Sequence, residues 1–507
     1  MNQNRNAVWP KKNDRSQRET RCSTRDNGPP YTGHEPRHTG KLKSLLRRNC
    51  FLKTACQTLL TTGLLWLFAV PTTQAQTWST YRHDNRRSGV SDATLPMPLT
   101  QHWVWKSPHV PQMAWTGPAK WDAWAGNRGL QSMRNFDPCF FVTADAKHVY
   151  FGSSVDDAAH ALKVADGTEA WVHFTGAAVR MPPSIANGKV YFGSDDGKAY
   201  CCDAQSGDLI WQRKTSQQDQ RITSNGKIIS LWPVRTGVLI HGDRATFAGS
   251  LVPWEKSYFY SVDANNGSID ADNCYVREFD DVTLQGALLA SEKRIYVPQG
   301  RAAPLAIESS NGKLRGTVSG AGGVFCVLSP EEQLIAGPSN QKSADDQIRV
   351  AEPQSNKALV SFNGTNRILI DQQDAFLVAQ GKLRKLNRQQ YVTGQIEVAE
   401  AKALIKADPK KATVGRTRIA AAETMIENSW GWTAESEIPL DIIKVGNLLI
   451  LGLNGEVRAL QASDGQELWR TEVEGAAHGL AAAAGKLFVS TDRGYIYAFG
   501  DSKTSPN

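Results

Sequence analysis

Short runs of alternating apolar and polar residues recur along most of this chain. Lys147-His-Val-Tyr-Phe-Gly-Ser-Ser154 leads to Ala165-Asp-Gly-Thr-Glu-Ala-Trp171, and Gly188-Lys-Val-Tyr-Phe-Gly-Ser-Asp-Asp-Gly197 leads through Asp203-Ala204 and Ser206-Gly207 to Leu209-Ile-Trp211. Tyr150 and Tyr191 are 41 residues apart, and Trp171 and Trp211 are 40 apart. Such a period suits a unit of four short strands. Within it, Val190-Tyr-Phe-Gly193 is a β-rich run, Asp195-Asp196-Gly197 a hairpin turn that needs positive φ, and Ala199 to Asp203 the returning strand. Ser206-Gly207 turns the chain into an outer strand that carries Trp211. Gly152 and Gly193 hold equivalent strand positions, and Gly455, Gly465 and Gly494 mark turns in two clear copies near the C-terminus. Each unit has an apolar face that it cannot bury alone, so the units must stack.

The last copy ends without its Trp strand, and Leu99-Thr-Gln-His-Trp-Val-Trp105 is a Trp strand without a copy. The expectation is a ring closed by its two termini, which removes the edge strands. Trp103 and Trp105 are read as facing opposite ways, so that only one fills the slot taken by Trp171, Trp211 and Trp469 in their own units. Outer strands near residues 171, 211, 269, 314, 360, 391 and 469, with the closing one, make eight blades. Seven follow if one degenerate middle copy is not a blade. The fold expected is therefore all-β, an eight-bladed propeller over residues 99–500, with an extension at 76–98 and a tail at 501–507. Insertions are expected near 112–138, carrying Trp115, Trp121 and Trp124, and at 396–428, where Ala, Glu, Lys and Arg predict two short helices. On this reading a chain begun at Leu99 keeps the fold.

Charge changes the picture only once it is divided. Of the net +8, residues 1–56 hold 13 Lys/Arg and 4 Asp/Glu, a surplus of 9, so residues 57–507 sum to −1. That excludes a basic nucleic-acid surface on the body of the chain. Basic residues from Lys41 to Lys53 precede the 12-residue apolar run Leu59 to Val70 and then Thr73-Gln-Ala75. This order predicts a signal peptide cleaved after Ala75, since a membrane span needs roughly 20 apolar residues. Residues 1–75 are thus a long basic leader plus signal, and the mature chain is expected to be periplasmic or otherwise extracytoplasmic, with no membrane span. Arg47-Arg48 approaches a twin-arginine pattern, but Cys50 breaks its spacing; no Cys follows the apolar run to carry a lipid. Cys139, Cys201, Cys202, Cys274 and Cys326 remain, an odd number without metal-ligand spacing.

The stretch Val190 to Trp211 resembles the pyrroloquinoline quinone (PQQ)-like repeat family, which includes quinoprotein alcohol dehydrogenases and the barrel-assembly propeller BamB of bacterial outer membranes. Trp78-Ser-Thr-Tyr-Arg-His-Asp-Asn-Arg-Arg-Ser-Gly-Val90 and Ser230-Leu-Trp-Pro-Val-Arg-Thr-Gly237 resemble exported members of planctomycete-like bacteria. The resemblance implies either a non-catalytic binding or assembly scaffold of the cell envelope, BamB-like, or a PQQ-dependent dehydrogenase. Members that hold the quinone resemble one another in a vicinal disulfide above it, a flat Trp beneath it and a Glu/Asn/Asp set around Ca²⁺. Cys201-Cys202 is adjacent, but its place within a strand pair predicts core residues, and no Glu, Asn and Asp set aligns with a Ca²⁺ site. No cofactor, no metal and no catalytic residue is therefore expected. Asp156-Asp157 and Asp195-Asp196 read as turn residues. By register, Arg180, Arg235 and His478 start innermost strands, and Arg301 follows another strand. These four are the candidate channel residues, either a cationic throat for an acidic group or ties between blades. The expected partner is an envelope protein or a small acidic ligand.

Overall fold

In the computed structural model, residues 77–502 are described apart from 116–135, 301, 319–321, 338–346, 353–354, 356–357, 364, 366 and 380. Six four-stranded antiparallel sheets follow one another: blade 1 (142–174), blade 2 (184–214), blade 3 (239–279), blade 4 (289–317), blade 5 (322–363) and blade 6 (368–435). Blade 7 begins at Asp441–Val445, and its outer strand is the first half of Glu467–Ala483. The second half of that 17-residue strand, beyond Gly475 at φ 93°, is the innermost strand of blade 8. Blade 8 adds Lys486–Thr491 and Tyr495–Asp501, and Leu99–Lys106 pairs antiparallel with the latter. The ring is an eight-bladed propeller closed by the N-terminal strand.

Buried clusters join blades 1 and 2, 2 and 3, 3 and 4, 4 and 5, 5 and 6, and 6 and 7, and a last one joins 7, 8 and 1. The same contact recurs in them. Trp103, Trp171, Trp211 and Trp432 donate their indole N–H to the carbonyls of Val164, Ala204, Ala264 and Ala462 in the next blade, at 3.0, 3.1, 3.0 and 3.0 Å. The indole then lies on the glycine of that blade's outer turn. A Cβ on Gly167 or Gly207 would sit 2.7 Å from Trp103 or Trp171, so the turn needs glycine for contact as well as for its positive φ. Tyr275 stands in for Trp between blades 3 and 4, its hydroxyl 3.1 Å from the Ser309 carbonyl. Trp469 meets the join of the termini and donates to the Leu99 carbonyl at 2.9 Å.

Three expectations need correction. Positions two apart on a strand share a face, and both indoles of the closing strand turn inward: Trp103 stacks on Gly167, and Trp105 lies against Phe140 and Phe151. The outer strand of blade 3 is Tyr275–Phe279 rather than one near 269, and that of blade 6 is Trp430–Glu435 rather than one near 391. Tyr391 belongs instead to helix α1 (Arg388–Ala407), which with α2 (Ala412–Asn428) replaces the outer turn of blade 6 and starts eight residues before the predicted insertion. Phe362 of blade 5 stacks on Tyr391 at 4.8 Å, where other blades offer a glycine turn.

The extension before Leu99 is part of the propeller. Trp78 pairs with Ala144 of blade 1, Ser79 accepts from Ile185 of blade 2, and Asn85 donates to the Ile240 carbonyl of blade 3 and accepts from Ala290 of blade 4. Arg86 accepts from Leu328 of blade 5, and Val90–Ser91 runs parallel to the first strand of blade 7. One short segment thus stoppers the channel against the innermost strands of six blades. Trp78, Arg82 and Arg87 are 1%, 4% and 3% exposed.

A chain begun at Leu99 therefore loses buried contacts, and it is expected to unfold at a lower temperature than one begun at Gln76. Deleting residues 99–106 instead opens the edge of blade 8, and aggregation should follow. Trp103→Ala should cost about 3–5 kcal/mol in denaturant unfolding, and the half-buried Trp105→Ala less.

Candidate functional site in the central channel

The linkers between blades approach the channel before each innermost strand begins, and there they carry charge. Arg180 lies between blades 1 and 2, Arg235 between blades 2 and 3, and Asp195 in the tight turn of blade 2 between them. Arg235 grips Asp195 from Nε and Nη2, both at 2.8 Å, and Arg180 Nε reaches Asp195 Oδ2 at 2.6 Å. Arg180 also binds Asp137 at 2.7 Å and the Gln112 carbonyl at 2.8 Å. Asp137 in turn accepts from the Ala114 amide at 2.9 Å. Trp115 covers Arg235, with the guanidinium 5.4 Å from the ring. Arg235 is fully buried and Asp195 is 1% exposed. Burial pushes the Asp195 carboxyl up, but Arg235 and Arg180 outweigh it and hold it at about 2. Two of the four candidate residues are thus brought together and compensated by carboxylates, while they tie blades 1 to 3 to the arms at 107–115 and 136–141.

His478 lies elsewhere, on the innermost strand of blade 8, beside a second group. Arg82 of the stopper pairs with Asp441 of blade 7 and donates to the Ile442 carbonyl at 3.2 Å. Arg82 and Arg367 both approach the Phe325 ring, at 5.5 and 4.9 Å. Burial, with Arg367 adding to it against Asp492, lowers His478 to about 4, so its imidazole is neutral at pH 7. Burial likewise pushes the Tyr81 hydroxyl up to about 12. Together these residues border a cavity of about 30 Å³, room for one or two waters. Arg301, Trp121 and Trp124 lie outside the described residues.

The residues present do not fit the quinone site that the family resemblance implies. Cys201 and Cys202 lie on the third strand of blade 2 and face opposite ways, one into the interface with blade 3 and the other into that with blade 1. Both are free thiols, pushed up to about 12 by burial. Neither faces the channel, and the cavity that the described residues border there is far smaller than a tricyclic cofactor. No group of three or more His, Cys, Asp or Glu among the described residues could hold a metal.

Sequence reasoning missed Asp137, Arg82, Arg367 and Asp441. Asp195 reads in the sequence as a turn residue, which a sequence cannot tell from a member of a buried ion pair. The only signal was the Arg-rich stretch Trp78 to Val90, too polar for an ordinary buried segment.

Asp195→Asn leaves two buried guanidinium groups short of a counter-charge, and a cost of about 3–5 kcal/mol is expected in denaturant unfolding. Because the folded carboxyl is depressed, its stabilisation is full above about pH 4 and fades toward pH 2. The gap between the wild type and the variant should narrow across that window.

A search among curated proteins finds no significant match. The family model described as outer membrane protein assembly factor BamB matches residues 104–271 and 453–504. Among solved structures, a europium-containing methanol dehydrogenase is similar at 10% identity and a TM-score of 0.54, over 84% of this chain and 98% of that one. The quinohemoprotein alcohol dehydrogenase of Comamonas testosteroni follows at 12% and 0.54, over 86% and 82%. BamB of Moraxella catarrhalis gives 13% and 0.46, over 80% and all of its chain. At such identities the structures speak for fold alone, and the family model covers less than half of the chain: this is an eight-bladed β-propeller whose residues 104–271 and 453–504 are similar to PQQ-like repeats.

Proposed function

We propose that this propeller is a non-catalytic binding or assembly scaffold of the cell envelope, BamB-like in role. The observation that carries the reading is the channel. Residues 78–91 lie across it, and the cavity that the described residues border beside Arg82 and His478 is about 30 Å³, among charges that already have partners. A reacting substrate needs a site open to it, with groups free to act. On this reading the surface of the propeller meets the partner, which is expected to be an envelope protein or a small acidic ligand. Export follows from the leader pattern of residues 41–75, and no helix among the described residues is long and apolar enough to cross a membrane.

The test is reconstitution of the chain from Gln76 with PQQ and Ca²⁺, followed by dialysis. The expected outcome is no retained quinone absorbance and no dye reduction with alcohols or sugars. Retained cofactor with dye reduction would replace the scaffold by a quinoprotein dehydrogenase. The protein recovered from its host should begin near Gln76 and fractionate with the periplasm; an intact leader in the membrane fraction would contradict the export reading.

A further inference from the structure

Among the described residues, the pair α1 and α2 is joined to the propeller at its base. Tyr391, Val392 and Arg388 are buried there, whereas beyond Ala401 the helices cover little but each other, held close by small residues. A Cβ on Gly415 would meet Ile405 at 2.4 Å and one on Gly394 would meet Ile426 at 2.6 Å. A 20-residue helix is about 30 Å long, so the pair carries its tip well away from the ring.

That tip is basic on a body that is not. Residues 402–416 hold Lys402, Lys406, Lys410, Lys411 and Arg416 against Asp408 alone, a sum of +4, whereas residues 57–507 as a whole sum to −1. All five cations are exposed, and none has an ion pair among the described residues. Asp408 is occupied in the turn, accepting from the Lys410 amide at 3.1 Å. Helix stability does not account for the cluster. Lys406 suits the C-terminal end of α1, but Lys410, Lys411 and Arg416 crowd the N-terminal end of α2, where the helix dipole disfavours cations. The first turn of α2 itself holds no acidic residue, and the single carboxylate nearby, Asp408, caps the 3-10 turn Pro409–Lys411 that leads into it. Val414, 58% exposed, stands among the cations.

We propose that this tip is a docking surface for an anionic lipid bilayer. The inference does not rest on the scaffold reading. A bilayer is favoured over an acidic protein because four of the five cations are Lys, long flexible point charges that match a diffuse layer of phosphates rather than one fixed carboxylate geometry. The exposed valine adds an apolar contact at the headgroup level.

The test is co-sedimentation of the chain from Gln76 with vesicles of phosphatidylcholine alone or mixed equally with phosphatidylglycerol. Binding is expected to the mixed vesicles only, and it should disappear at 1 M salt, where the Debye length is about 3 Å. With each cation contributing about fivefold, the K406Q/K410Q/K411Q variant should bind roughly a hundredfold more weakly. These side chains are exposed, so its thermal unfolding should match the wild type and separate lost binding from lost fold. Inorganic phosphate at matched ionic strength should not compete. Equal binding by the variant, displacement by phosphate, or capture of poly-glutamate without vesicle binding would each overturn the proposal.

Discussion

A four-stranded blade has two apolar faces and covers neither alone, so everything in this molecule depends on how one blade is held to the next. The answer is an indole laid on a glycine. The ring buries a large apolar surface, its N–H satisfies a carbonyl that the tight turn would otherwise leave open, and the missing Cβ lets the two meet. Because the contact runs from the outer strand of one blade to the outer turn of the following one, it fixes their order and spacing. The chain uses it at four of the eight junctions and substitutes Tyr275 at one and the Phe362–Tyr391 stack at another. At the closing junction no glycine turn exists, and Trp469 takes the carbonyl of Leu99.

This also explains which parts of the fold were legible. Glycine turns and Trp strands repeat because the same contact serves one junction after another, so period, blade number and closure could be read from spacing. Legibility failed where the device was replaced. Tyr275 hid the outer strand of blade 3, and the helical pair separates the inner strands of blade 6 from Trp432 by tens of residues. The stopper was unreadable for another reason. Its sequence is polar, and polarity normally signals solvent. Here Arg82 and Arg87 are buried because the channel is lined by backbone carbonyls and a carboxylate that they can satisfy.

The candidate channel residues show the same limit. Register placed Arg180, Arg235 and His478 near the axis, but whether a guanidinium meets a ligand or an internal carboxylate depends on residues far apart in sequence. Asp137 and Asp195 decide it for the two arginines. His478 sits in surroundings that remove its charge, so it cannot extend a cationic throat.

The seam has a consequence for biosynthesis. The bond from Trp469 to Leu99 spans 370 residues, and the stopper at Val90 pairs with a strand that starts at Asp441. The closing strand at Leu99–Lys106, among the first of the propeller to emerge from a ribosome or a translocation pore, therefore waits for almost the last residues before it is paired. Until then the growing chain is an open arc with two unpaired strand edges and an uncompensated arginine pair at its leading end. Such long-range closure is slow, and the arc is prone to pair with a second chain. Productive folding of this propeller should accordingly depend on factors that keep neighbouring nascent chains apart until the last blade arrives.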